Sequence, residues 1–203
     1  MIKKLLLIFI GIFLLFNSSF AKGKIKPCLQ EYTLAVLPVV NLSGLDQRTL
    51  EAVSNAIKDE LKKKYPPKKT KVRFIANDAI NEVMAAQPFE NSEAPTLKEL
   101  VDVGNSLGAD RVMFISLMSS NDKESGFMVI VGAGTIRANV TMKQKLVDVN
   151  KGTFIYNANT VSKGASNSVN FWRIGSPSKI RAVKKSVANT MKQFLMSFDQ
   201  DGD

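Results

Sequence analysis

Hydrophobic positions divide this chain into short segments with two different periodicities. Apolar runs, or apolar residues at every second position, are typical of strands, and apolar residues at spacings of three and four are typical of amphipathic helices. These patterns predict strands at 32–40, 71–75, 111–118, 127–149 and 153–161. They predict helices at 46–64, in a short segment that Asn77 or Asp78 caps, at 97–107 and at 177–198.

Residues at the ends of the predicted helices support these assignments. Thr96 and Glu99 have the spacing of a capping box, and Gly108 is suited to a helix C-terminus. The run Lys62–Lys64 lies where the negative end of a helix dipole favours cations, so we interpret it as a helix end and not as a binding patch. Ser176 precedes Pro177, a residue common at the first helical position.

The resulting order, β-α-β-α-α-β-β-β-α, predicts an α/β (α+β) fold. Its sheet is expected to be mixed, mostly antiparallel and of about five strands, with helices in one or two layers against it. The alternation in 136–143 predicts a strand with one face on the core and one in water. Gly132 and Gly134 fit a bulge in that strand better than a dinucleotide loop, because the third glycine and the following helix are missing.

The first 21 residues have the three parts of a secretory signal peptide. Lys3 and Lys4 precede an apolar run, Leu5–Phe16, and small residues lead to Ala21. That run is shorter than the roughly 20 residues that span a bilayer. We therefore expect export and cleavage after Ala21, with an uncleaved membrane anchor as the weaker alternative. The expected location is the periplasm, and outer-membrane association or release from the cell is left open.

The expected domain organisation follows from these boundaries. Residues 1–21 are the signal peptide, 22–31 a flexible lead, 32–198 a single domain and 199–203 an acidic tail. The segment 164–175 is expected to be irregular.

The chain is basic, with 28 Lys and Arg against 18 Asp and Glu and a formal net charge of +10, which becomes +8 when the two leader lysines are removed. Only six of the cations are Arg, the residue suited to bidentate phosphate recognition. Nucleic-acid binding is therefore not expected. Weak contact with an anionic membrane or with the cell wall remains open.

Histidine is absent from the chain, and Cys28 is its single cysteine. The commonest general base and the commonest metal ligand are therefore missing, and no catalytic residue, cofactor or metal is predicted. Ile25–Pro27 is not the small-residue sequence that precedes a lipidated cysteine, so Cys28 is not expected to carry lipid. A free thiol and an intermolecular disulfide both remain open for it.

Three segments resemble the TolB amino-terminal-like and CsgG-like envelope proteins. They are Leu34–Gly44 (LAVLPVVNLSG), Leu107–Val112 (LGADRV) and Leu146–Gly152 (LVDVNKG). Their order and spacing also agree, and the resemblance covers residues 32–197. It implies a periplasmic, non-enzymatic protein that binds other envelope proteins, as do the curli secretion channel subunit and the activators of peptidoglycan synthases. Pore formation is not implied, because the chain lacks a lipid-attachment motif and extra membrane-spanning hairpins.

Two groups of candidate residues result. The resemblance supplies positions that shape strand ends and turns: Pro38, Asn41, Gly44, Gly108, Asp110, Asp148 and Gly152. The irregular segment supplies Phe171, Trp172 and Arg173 as a candidate partner surface, because aromatic residues and arginine are enriched at protein interfaces. For these three, lipid contact and simple packing against the sheet remain alternatives.

The expected function is that of an exported, non-enzymatic cell-envelope accessory protein in secretion or envelope assembly. It would act by binding one or more envelope proteins. The sequence does not identify these partners, and formation of a homo-oligomer is left open. Two alternatives remain. One is an envelope glycan hydrolase, which requires two carboxylates across a groove. The other is a module that binds lipid or an anionic polymer.

Overall fold

The computed structural model describes residues 31–66, 69–118, 128–132, 135–167, 176–196 and 198. Within these ranges the strands are β1 Tyr32–Val36, β2 Val40–Asn41, β3 Val72–Phe74, β4 Arg111–Leu117, β5 Met128–Gly132, β6 Thr135–Asp148 and β7 Thr153–Asn167. The helices are α1 Gln47–Lys64, α2 Asn77–Ala86, α3 Leu97–Leu107 and α4 Ser176–Met196.

One mixed sheet of seven strands joins a parallel half to an antiparallel half. Strand β1 is parallel to β3 on one side and to β4 on the other, and β2 continues beside β4. Strand β6 is antiparallel to β4, β5 and β7. Because β7 pairs with β6 along its whole length, β4 and β5 share the opposite edge of β6. The α+β class and the mixed sheet are confirmed, and β3 lies at the parallel edge.

The strand count exceeds five because two predicted strands are each divided. The first stops at Val36 and resumes at Val40, on either side of Pro38, which has no N–H to donate to a ladder. The predicted strand 127–149 is two strands, β5 and β6, paired antiparallel so that Gly132 faces Thr135. Only two residues lie between them, the length of a tight hairpin, and glycine suits such a reversal as well as it suits a bend.

Helices cover both faces of the sheet, so the fold has three layers. Helices α1 and α4 share one hydrophobic cluster with the sheet, and helices α2 and α3 share a second. Alternate residues of β4 enter each cluster, with Met113 and Ile115 in the first and Val112 and Phe114 in the second. All seven residues of β4 are buried, as expected of a strand covered on both sides.

Two helix ends agree with the prediction and one does not. Thr96 and Glu99 form the capping box of α3, and Gly108 ends that helix with a φ of 61°. Helix α2, however, begins after Ala76, whose backbone is extended, and no side chain caps it. Asn77 is already the first helical residue, so the prediction that Asn77 or Asp78 caps α2 is wrong. The side chain of Asn77 therefore does not cap this helix.

The polar face of β6 meets water less than the alternation predicts. Thr141 is buried, and further along the strand Lys145 is only 6% exposed. The Lys145 ammonium donates to the carbonyl of Pro95, in the loop before α3, and lies 5.6 Å from the centre of the Phe154 ring. Burial lowers the pKa of Lys145, and Lys143 lowers it further. The loop before α3 thus covers this part of the sheet.

Strand β7 and helix α4 approach closely at Gly164, which the sequence had placed in an irregular segment. The strand continues to Asn167, and a hydrogen bond from Ser186 Oγ to the Ser162 carbonyl (2.7 Å) joins helix and strand. A Cβ atom at position 164 would lie 2.0 Å from the Ala182 carbonyl oxygen and 2.6 Å from the Ser186 nitrogen. Only glycine leaves room for this contact.

We predict that Gly164→Ala lowers the free energy of unfolding by about 3 kcal/mol, because the helix backbone must move away from the strand and the hydrogen bond from Ser186 is strained. Urea unfolding followed by circular dichroism measures the loss. The matched control is Gly152→Ala, where a Cβ has no neighbour within 4 Å and only a φ of 61° disfavours alanine. That control is expected to lose about 1 kcal/mol. Equal losses for the two variants would contradict the close contact.

Candidate functional site

A groove of about 560 Å³ opens beyond the carboxyl ends of β1 and β3. After β1 the chain passes to α1, on one face of the sheet, and after β3 it passes to α2, on the other face. Neighbouring parallel strands whose connections leave to opposite faces open a crevice between them, and ligands of α/β sheets commonly bind there. We call this feature the switch-point groove.

Apolar side chains line most of the switch-point groove. They come from the segment after β1, from the end of β3, and from the facing sides of both helices: Val36, Leu37, Pro38, Val39, Leu50, Ile57, Leu61, Phe74, Ile75 and Ile80. Phe74 is 43% exposed, one of few large apolar side chains so exposed in the described part of the chain. Its ring contacts that of Tyr65 at 6.3 Å between centres, so it stands against the end of α1. The groove thus offers apolar surface to a partner.

The two helical walls of the groove carry different polar groups. Ser54, Lys58 and Lys62 occur at intervals of four along α1 and therefore lie in one row on the groove side. Asn77 and Asn81 have the same interval on α2 and face them from the other wall. One wall therefore presents two ammonium groups, and the other presents two amides that can both donate and accept hydrogen bonds.

The groove has a positive electrostatic character. No Asp or Glu lines it, and neither Lys58 nor Lys62 has an ion pair within the described ranges. The neighbouring Lys63 instead pairs with Glu60 on the adjacent side of α1, and that hydrogen bond raises the pKa of Lys63. The uncapped start of α2 adds N–H groups at the positive end of its dipole, which the exposed Asp78 partly offsets.

This set of side chains suits binding, and its lining contains no carboxylate. A glycosidase needs two carboxylates across its cleft, and the groove lining has none. In the part of the chain that the structure describes, no three Cys, Asp or Glu side chains are grouped to hold a metal ion. What the groove can do is bury apolar side chains, bond to amides and attract carboxylates.

Three of the predicted structural positions lie at or beside the groove. Pro38 lines it directly. The Asn41 side chain organises the turn that follows, since its Oδ1 accepts from Ser43 Oγ (2.8 Å) and its Nδ2 donates to the Leu45 carbonyl (2.9 Å). Gly44 completes the turn with a φ of 66°. These residues direct the chain from β2 into α1 and so position the lysine wall.

Asp110 and Gly108 lie at the other end of the parallel strands. Asp110 Oδ2 accepts from the Thr33 N–H (2.8 Å) and hydroxyl (2.9 Å), and its Oδ1 accepts from Asn150 Nδ2 (3.1 Å). The Gly108 carbonyl lies 3.1 Å from the same hydroxyl and is an alternative acceptor for its single proton. The Thr33 N–H and hydroxyl hold the pKa of Asp110 below its ordinary value, and Asn150 contributes in the same direction. Asp110 therefore joins β1, the end of α3 and the β6–β7 turn.

Asp148 and Gly152 shape that β6–β7 turn. Asp148 Oδ1 accepts from the Lys151 N–H at 2.9 Å, and Gly152 has a φ of 61°. Both residues act within the turn, on the antiparallel side of the sheet and away from the groove.

The remaining candidate residues, Phe171, Trp172 and Arg173, lie outside the described residues, as do the leader and Cys28. Their proposed partner surface stays a prediction. Sequence reasoning missed Lys58, Phe74, Asn77 and Asn81, and it interpreted Lys62 only as part of a helix end. The four-residue spacing of Ser54, Lys58 and Lys62 is visible in the sequence, but the opposite wall is not.

Among the described residues, no helix combines the length and the hydrophobicity that a membrane span requires.

Comparison with known proteins shows a shared fold. No protein-family model matches the chain, and no curated protein does. The chain is similar to the solved structure of a hypothetical protein from Chlamydia trachomatis, with 16% identity, a TM-score of 0.54, and coverage of 84% of this chain and 96% of that one. It is also similar to a lipoprotein from Neisseria meningitidis (15% identity, TM-score 0.46, coverage 70% and 88%) and to the LpoB C-terminal domain from Escherichia coli (13%, 0.38, 64% and 81%).

The first of these similarities establishes the architecture only, and the other two scores are too low to support more. The resemblance to CsgG-like and TolB amino-terminal-like proteins stays a prediction.

We predict that Asp110→Asn lowers the free energy of unfolding by about 2 kcal/mol at about pH 7, because hydrogen bonds to a charged acceptor are replaced by weaker ones. The folded-state pKa of Asp110 is lowered, so its contribution is complete above the unfolded pKa of about 3.9 and is lost as pH falls through the folded pKa. The difference between the original chain and the variant should therefore shrink toward about pH 2. Urea unfolding across this range measures it.

The control is Asp102→Asn, at an exposed position one turn before the end of α3. This variant should unfold within about 0.5 kcal/mol of the original chain at every pH. A pH-independent loss for Asp110→Asn would show that its carboxylate charge has no part in the connection.

Proposed function

We propose that this chain is an exported, non-enzymatic cell-envelope accessory protein that binds another envelope protein in its switch-point groove. The leader segment supports the location in the cell envelope. The groove supports the mode of action, which is protein binding. Its finer part, a role in secretion or envelope assembly, rests on the sequence resemblance.

The observation that carries the proposal is the composition of the groove. It combines an apolar floor, an exposed aromatic side chain at a sheet edge, and two polar walls. One wall carries Lys58 and Lys62, and the other carries Asn77 and Asn81. Concave, mostly apolar sites with a few polar groups are where proteins usually bind ligands, and aromatic residues are enriched where partners bury each other's surface.

The alternatives predict different occupants. A glycan hydrolase would bind sugar between two carboxylates, which this groove does not offer. A lipid- or polymer-binding module would bind an acyl chain or a polyanion in the groove and would not bind a partner protein there.

The test is site-specific photo-cross-linking in the native envelope. A photoreactive amino acid replaces Ser54 on the groove wall, which leaves both lysines in place, and the control places it at Lys192, an exposed residue of α4. Mass spectrometry identifies each adduct. We expect position 54 to yield one defined protein, or a second copy of this chain, and position 192 to yield neither. Lipid adducts alone, or equal adducts from both positions, would contradict the proposal.

We further predict that Phe74→Ala weakens capture of that partner about five- to tenfold, because an exposed aromatic anchor contributes more than 1 kcal/mol when a partner buries it. Quantified adduct yield from position 54 measures the effect. The control is Met196→Ala, which removes a side chain that is 67% exposed at the end of α4. Thermal unfolding of both variants verifies that the fold is intact. Equal yields from the two variants would show that Phe74 is not part of the binding surface.

A further inference from the structure

We infer that the occupant of the switch-point groove is an acidic, apolar segment of the partner protein. Its apolar side chains lie on the groove floor, and two of its carboxylates pair with Lys58 and Lys62. This inference rests on the proposed function and names the chemistry of the partner.

The lysine wall determines the charge of the occupant. Lys58 and Lys62 are one helical turn apart, so their Cβ atoms are about 6 Å from each other. Both side chains are exposed, and the groove lining contains no acid to neutralise them. Two carboxylates one turn apart on a helix, or two residues apart on a strand, have a matching separation. A basic segment would meet like charges, which are repelled.

The amide wall favours a peptide over other anions. Asn77 and Asn81 each carry donors and an acceptor, and a polypeptide backbone offers both complementary groups. An acyl chain offers neither along its length. A phosphate or sugar polymer offers no apolar side chains for the floor that Val36, Leu50 and Phe74 help to form. A peptide with apolar and acidic side chains uses all three parts of the groove.

The size of the groove agrees with such a segment. Its volume of about 560 Å³ lies in the range of about 300–1,000 Å³ that is usual for ligand sites. The groove is therefore large enough for a few apolar side chains and not for a folded domain.

The test measures binding of designed peptides to the full chain purified from an exporting cell. The acidic probe is a peptide of about twelve residues in which Leu at spacings of three and four forms one face of an amphipathic helix, and Glu residues one turn apart lie beside that face. Two matched probes carry Gln or Lys in place of every Glu. Fluorescence anisotropy gives each Kd. We expect the acidic probe to bind most tightly, and its Kd to rise with added salt because exposed charges are screened.

Charge reversal on the groove wall provides the decisive comparison. The double variant Lys58→Glu with Lys62→Glu should weaken binding of the acidic probe at least about tenfold, since two attractions become two repulsions, and should strengthen binding of the Lys probe. The control, Lys185→Glu with Lys192→Glu, makes the same change in net charge on exposed positions of α4 and should stay within about twofold. Circular dichroism and thermal unfolding confirm that both variants fold.

Three results would overturn the inference: equal Kd values for acidic and Lys probes, equal losses in the groove and control variants, or displacement of the acidic probe by phosphatidylglycerol vesicles at lower concentration than by unlabelled peptide. Failure here is distinct from failure of the proposed function. A cross-linked partner whose contacting segment is neutral or basic overturns this inference and leaves protein binding intact. If no protein is cross-linked, both this inference and the proposed function are contradicted.

Discussion

Burial of β4 on both faces is the constraint from which the rest of the architecture follows. All seven of its residues are buried, with alternate side chains in two separate hydrophobic clusters. A strand of this kind requires helices above and below it. The chain meets that requirement by sending the connection after β1 to one face and the connection after β3 to the other. The groove between those connections is therefore a consequence of how the core is covered.

The polar side chains of the groove lie on two helices that also pack into the hydrophobic core. Helix α1 packs Val53, Ile57 and Leu61 into the core and leaves Lys58 and Lys62 along its outer side. Helix α2 buries Ile80 and presents Asn77 and Asn81. Neither helix could form a binding site alone, since each supplies one wall. A binding function fits this arrangement because it needs complementary surfaces and no reactive group.

Local signals account for the parts of the fold that were predictable. Helix α1 begins after Asp46, whose carboxylate accepts from the Thr49 N–H at 2.9 Å, and the capping box of α3 forms as its spacing indicates. Such ends depend on a few adjacent residues. The division of 127–149 into β5 and β6 was not predictable in the same way, because glycines suit a bend and a reversal equally. The start of α2 at Asn77 also contradicts a local capping preference.

The amino-acid sequence by itself determined most of the helices and strands, the basic charge and the absence of histidine, because each depends on composition or on neighbours along the chain. Only the tertiary structure decided that Lys58 and Asn77 line one groove, that Phe74 lies exposed at the sheet edge, and that Asp110 joins Thr33 to Asn150. These juxtapositions depend on strand order and on which face each helix covers. A one-dimensional pattern specifies the period of an element but not its neighbour across the sheet.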